Sequence, residues 1–196
     1  VLAHAQDTTE RERADALLQQ AIARASHGAQ QLLMLATLEG AETPAARRVD
    51  VAQLVRELLA QAAPSAMQRG MDLSLDAPDA LWAAVDEPAF QSIVVNLVDN
   101  AIRYGREGGT VLVKLATDGE RLALQVRDDG PGIPAADQSL VFERFHRVAG
   151  TQAAGSGLGL AIVRQAAQRM GGRAGIGKGL AGRGVGLDVD LPLAEF

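Results

Sequence analysis

The chain has 196 residues, enough for one full α/β domain with a smaller appendage. Apolar residues make up 47% but aromatics only 3%, so any core is built from Leu, Val, Ile and Ala. A net charge of −5 argues against nucleic acid as a partner, and the lack of cysteine excludes disulfides, thiolate metal sites and a Cys nucleophile.

No apolar run approaches the roughly 20 residues that span a bilayer, and no signal peptide is visible. The chain begins at Val1 rather than Met, so it is expected to be a piece of something longer. Its first segment reads as helix. Thr9 and Glu12 form a capping box, and Ala14, Leu17, Leu18, Ala21, Ile22, Ala25, Ala29, Leu32, Leu33 and Ala36 follow at near-heptad spacing. This predicts a helix from about 9 to 39, roughly 45 Å long at about 1.5 Å per residue. A helix with one apolar face needs a partner, either its own domain or a helical-hairpin dimer bundle. Residues 41–48, with Gly40-Ala41-Glu42-Thr43-Pro44 at their start, read as a linker.

A compact domain, 49–196, follows. Val49–Val51 reads as a short strand, Val51–Met67 as a helix, and Gly70–Leu75 and Leu81–Val85 as strands. Glu87–Tyr104 is a strongly apolar helix, and Thr110–Ala116 with Arg121–Arg127 forms a hairpin. Gly130–Glu143 is loop, Gly157–Met170 is helix, and Gly171–Leu193 reads as paired strands with glycine-rich turns. Helices and antiparallel strands are segregated, which predicts an α+β two-layer sandwich with one mixed sheet and helices on one face.

Three segments could carry chemistry. Asn96 and Asn100 lie one turn apart on a helix whose Leu97 and Val98 anchor it in the core. Amide oxygens suit a Mg²⁺ ion that keeps waters and shares phosphate oxygens. Arg103 and Tyr104 extend that face with a cation and a hydroxyl. The alternative is that the Asn residues only cap or face water. Asp128-Asp129-Gly130-Pro131-Gly132 follows a strand, where an Asp can accept from an exocyclic amine and glycines allow close approach to a planar ring. It also reads as an ordinary turn. Gly155-Ser156-Gly157-Leu158-Gly159-Leu160 opens a helix, an arrangement that offers free N–H groups and a positive dipole end to an anion. A Rossmann reading fails because no buried strand directly precedes this turn.

In this order the segments resemble the catalytic ATP-binding domain of histidine kinases, within the wider family of gyrase, HSP90 and MutL ATPases. Asn96–Tyr104 resembles the N box, Asp128–Gly132 the G1 box, Val141–Arg147 the F box and Gly155–Leu160 the G2 box. Gly184–Pro192 is similar to the closing strand, with Val185 and Leu187 where Thr and Phe are common. The resemblance covers about Val49 to Pro192 and implies a Bergerat-type ATP-binding fold, preceded by part of a dimerisation and phosphotransfer helix.

It implies ATP and Mg²⁺ as cofactors, with Asn100 on the metal and Asn96 assisting. Arg103, Tyr104 and Arg147 would face the phosphates, with Asn96, Arg103 and Arg147 closest to the chemistry. Asp128 would read adenine beside Gly130 and Gly132. Gly155, Gly157, Leu158, Gly159 and Leu160 would contact phosphates through the backbone. Residues 146–156 would form a lid based on Phe142 and Phe145. Asn96 stands where ATP-hydrolysing relatives carry a Glu that activates water, which favours a kinase over an ATPase. A non-catalytic nucleotide-binding or dimerisation scaffold is the other alternative.

None of His4, His27 and His146 fits the family's phosphoacceptor box, so the acceptor is expected upstream of Val1. His146 itself reads as a surface or loop histidine. The resemblance further implies a response-regulator receiver domain as partner, a homodimer in the full protein, and a cytoplasmic location beneath an inner-membrane anchor outside this sequence.

Overall fold

The computed structural model describes residues 18–19, 21–22, 25–26, 28–40, 46–148 and 155–193. The capping box, His4 and His27 lie outside them. Helix α1 covers 28–39, and the described residues before it are helical too.

Strand β1 (Arg47–Asp50) pairs antiparallel with β3 (Trp82–Val85). Between them run α2 (Val51–Gln68) and β2 (Asp72–Asp76). Asp50 starts α2: its carboxylate accepts from Ala52 N at 3.1 Å and Gln53 N at 3.2 Å, and also from Leu81 N at 3.1 Å. It therefore caps a helix and ties down the strand partner at once. Helix α3 (Glu87–Tyr104) begins in the same way, with Asp86 accepting from Ala89 N at 3.2 Å, and ends at Gly105. Its buried stripe contains Phe90, Ile93, Val94 and Leu97, all fully inaccessible. Each such side chain stabilises the fold by about 1.5–3 kcal/mol.

Strands β4 (Thr110–Thr117) and β5 (Arg121–Asp128) form the expected hairpin. Asp118 closes its turn, accepting from Glu120 N and Arg121 N. Helix α4 (Gly159–Arg169), β6 (Arg173–Lys178) and β7 (Val185–Pro192) complete the chain. The main sheet has the order β2-β4-β5-β7-β6, with β2 parallel to β4 and the other pairs antiparallel. Alternate residues of β5 (Leu122, Leu124, Val126, Asp128) are buried, as a half-covered strand requires. The architecture is the α/β sandwich expected.

One expectation needs correction. Instead of a single mixed sheet, β1 and β3 form a separate two-stranded one. Beyond their ladder the two strands are joined at Leu81, which donates to Asp50 Oδ1 at 3.1 Å and accepts from Val51 N at 2.9 Å. The apolar stripe of α1, for which the sequence leaves either its own domain or a dimer bundle as partner, does not pack on the domain at its described residues. Leu18, Ile22, Leu32 and Leu33 are exposed, while Gln31, Leu35 and Leu38 are buried against it.

Candidate nucleotide site

Helix α3, the end of β5, the segment 141–148, the glycine-rich segment before α4 and the start of β7 surround one cleft of about 150 Å³. The core-facing stripe of α3 fixes its rotation, and this turns Asn96, Asn100, Arg103 and Tyr104 into the cleft wall. Asn96 is held by its own helix: its Nδ2 donates to Ser92 O at 2.8 Å. Asn100 differs. Its Nδ2 is buried and has no hydrogen-bond partner among the described residues. A buried orphan of this kind costs free energy unless a ligand completes it. Interchanging the two ends of the amide would put an oxygen there instead, the donor a hard cation takes. No group of three or more His, Cys, Asp or Glu that could hold a metal exists among the described residues. Of the two amides, Asn100 has the unpartnered end that could serve a hard cation, while the Asn96 oxygen already accepts from Gln31 Nε2 at 3.0 Å.

At the opposite end Asp128, only 4% exposed, closes β5. Its Oδ1 accepts from Gly130 N at 2.8 Å and Val185 N at 3.4 Å. Burial pushes its carboxyl above the ordinary range, and these backbone donors only partly offset that. Gly184 has φ +70°, and a Cβ there would overlap the Asp128 carbonyl oxygen, so the start of β7 can lie on Asp128 only as glycine. The neighbouring Asp129 has a structural job. It accepts from Arg106 Nη2 at 2.5 Å and Thr110 N at 2.9 Å, and the Arg106 guanidinium holds its carboxyl below the usual range.

The glycine-rich segment is tied to the segment before it by Phe145 N donating to Gly157 O at 2.9 Å. Gly157 has φ +72°, and a Cβ there would lie 2.7 Å from the Phe145 carbonyl carbon. Ser156 Oγ accepts from Leu158 N at 3.1 Å, just before α4 begins. Residues 149–154 of the expected lid lie outside the described residues.

Most of the expected site residues share this cleft: Asn96, Asn100, Arg103, Tyr104, Asp128, Gly132, Arg147, Gly155, Gly157, Gly159 and Leu160. Gly130 and Leu158 do not line it. Gly130 is used to bond Asp128, and the Leu158 side chain is 1% exposed in the core, anchoring the start of α4. Phe142 packs inward as expected, but Phe145 is 65% exposed and sits at φ +63°, with its N–H donating to Gly157 O. His146 lies at the cleft wall, with Nε2 3.0 Å from Asp137 Oδ1. Val185 and Leu187 also line the cleft. The residue that motif reasoning missed altogether is Gln31 of α1, which is 8% exposed and enters the cleft. No local sequence signal marks it, since it is one glutamine on the polar side of an amphipathic helix.

Comparison with known proteins agrees with this geometry. Residues 85–195 match the family model described as histidine kinase-, DNA gyrase B-, and HSP90-like ATPase. The chain is 38% identical over 193 residues to the swarming motility regulation sensor protein RssA of Serratia marcescens, covering 95% of this chain and 41% of that protein. It is 36% identical over 168 residues to the sensor protein kinase PmrB of Pseudomonas aeruginosa, covering 85% and 35%. Among solved structures, full-length ShkA in complex with AMPPNP superposes with a TM-score of 0.74 at 30% identity, over 87% of this chain and 36% of that one. The mycobacterial sensor histidine kinase MprB gives 0.66 at 29% identity, over 77% and 99%. The chain thus spans less than half the length of these two curated relatives.

Proposed function

The chain belongs to the histidine kinase-, DNA gyrase B- and HSP90-like ATPase family, as a catalytic domain of the sensor histidine kinase type, and from that premise we propose that its cleft binds Mg²⁺-ATP for transfer of the γ-phosphate to a histidine outside this chain. The observation that carries the proposal is the convergence of the α3 amides, the buried Asp128 and the start of α4 on one cleft.

Each group has a task set by its place. Asp128, fixed by Gly130 N and Val185 N, accepts from the adenine amino group. The N–H groups opening α4 and the side chains of Arg103, Tyr104 and Arg147 meet the phosphates at the other end. Asn100, with Asn96 beside it, would hold Mg²⁺, which neutralises charge on the phosphate oxygens when bound. Catalysis here is positioning and electrostatics, because the transferred group needs no covalent help from the protein. Asn96 cannot act as a general base, and this supports phosphotransfer over hydrolysis. In the whole protein the phosphoryl group would pass on to an Asp of a response-regulator receiver domain. The exposed stripe Leu18, Ile22, Leu32 and Leu33 would face a second copy in a homodimer. Membrane attachment would come from segments beyond this chain. No helix among the described residues is itself long and apolar enough to cross a membrane.

Titration calorimetry with Mg²⁺-ATP tests the proposal. Saturable, Mg²⁺-dependent binding is expected, without stable phosphohistidine on this chain and without appreciable phosphate release. No detectable binding would favour a scaffold, and steady turnover without an acceptor would favour an ATPase.

A further inference from the structure

Gln31 joins two parts of the nucleotide site that are otherwise separate. Its Nε2 donates to Asn96 Oδ1 at 3.0 Å, and its Oε1 accepts from Ser156 Oγ at 2.6 Å. Ser156 in turn holds Leu158 N at the entrance to α4. A side chain from outside the 49–196 domain thus spans the wall between the N-box helix and the glycine-rich segment.

Asn96 does not need this contact to hold its orientation, since Ser92 O already takes its Nδ2 at 2.8 Å. Gln31 instead occupies the Asn96 oxygen, the atom that would serve the metal or its waters. It also holds Ser156 inside the segment that would receive phosphate. The other end of α1 is held differently. Arg169 Nη1 donates to Leu38 O at 3.0 Å and to Thr37 O and Gly40 O at 3.2 Å. Its Nε lies 3.4 Å from Asp86 Oδ2, with both side chains only 6% exposed. Leu35 and Leu38 are buried beside it, and Glu39 pairs with Arg144. One end of α1 is thus anchored by buried apolar and ionic contacts, while the described polar contacts at Gln31 are two exchangeable hydrogen bonds, with Met34 packed on the core beside them.

Building on the nucleotide-site reading above, we propose that Gln31 is a plug that competes with the metal–triphosphate group, so that nucleotide binding lifts the Gln31 end of α1 while the Arg169 end stays docked. The coupling is reciprocal: whatever pulls α1 from the cleft raises nucleotide affinity, and nucleotide frees α1 to the same degree. A base and sugar without phosphates would not reach the plug and would leave α1 in place.

The test uses the whole 196-residue chain. Gln31→Met keeps length and apolar contact but makes neither bond, and Gln31→Ala checks that the result does not depend on the bulk of Met. Loss of two hydrogen bonds that are each worth about 2- to 13-fold predicts Mg²⁺-AMPPNP binding roughly tenfold tighter in both variants, with adenosine affinity unchanged. Because the chain has no cysteine, Leu33→Cys and Thr117→Cys, both exposed, can carry a pair of distance labels. Mg²⁺-AMPPNP should change the label separation, and adenosine should not. Unchanged or weaker AMPPNP binding in the Gln31 variants overturns the proposal, as does a separation indifferent to AMPPNP. If the wild type binds AMPPNP normally in those cases, the nucleotide-site reading survives. If the wild type binds nothing, both fall.

Discussion

Asp128→Asn keeps the oxygen to which Gly130 N and Val185 N donate but removes the buried charge and turns the second acceptor into a donor. The consequences for stability and for binding have opposite signs. Burial raises the Asp128 carboxyl above its ordinary value. Below the unfolded value, about 3.9, folded and unfolded chains both carry the proton, and burial of charge costs nothing. As pH rises through the higher folded value the native chain must bury a carboxylate, and above it the cost is complete. Asn is neutral throughout, so the empty variant is expected to be more stable than the parent at pH 7 and no more stable near pH 3. A relief of about 1 kcal/mol would raise Tm by roughly 2–4 °C in a chain of this size. Binding moves the other way. The adenine amino group loses a charged acceptor worth about 1.5–3 kcal/mol, an affinity loss of roughly 10- to 150-fold. A nucleotide with a 6-oxo group should lose less, because the new amide can donate to it. Thermal unfolding across pH and calorimetry with Mg²⁺-ATP and Mg²⁺-ITP measure both effects. A variant less stable at pH 7 that binds ATP normally would refute the reasoning.

Other outcomes follow from the same geometry. Asn100→Ala should abolish the Mg²⁺-dependent part of ATP affinity while leaving adenosine binding intact; calorimetry with and without EDTA distinguishes the two. Arg169→Met leaves Asp86 buried without its ionic partner and should cost about 3–5 kcal/mol by denaturant unfolding. Adding Asp86→Asn, which keeps the α3 cap oxygen, should recover part of that loss. Gly184→Ala forces an unfavourable positive φ and a clash with the Asp128 carbonyl, so it should lower both Tm and ATP affinity, in contrast to Asp128→Asn.

Much of the domain was legible because its signals are local. The apolar period of Glu87–Tyr104, bounded by Asp86 and Gly105, delimits α3, and the Asp118-Gly119 turn marks the hairpin. The motif residues Asn96, Asn100, Asp128 and Gly155–Gly159 could be grouped from their order along the chain, and all of those assigned contacts except Gly130 and Leu158 line one cleft. Those two exceptions have a common cause. In a glycine-rich turn, sequence does not say which groups face the ligand and which face the core, because the local φ angles decide it.

What the sequence alone determined was the main elements and the grouping of the motif residues, since both follow from side-chain type at short spacing. Tertiary structure decided the separate β1–β3 pair, whose partners stand 32 residues or more apart, and the use made of α1. Periodicity says that a helix has an apolar stripe, but it cannot say which face a domain will cover. Here the described residues of the stripe stay exposed, and a polar residue, Gln31, is buried in the cleft instead. That choice depends on what lies 65 residues away at Asn96 and 125 away at Ser156, distances over which only packing carries information.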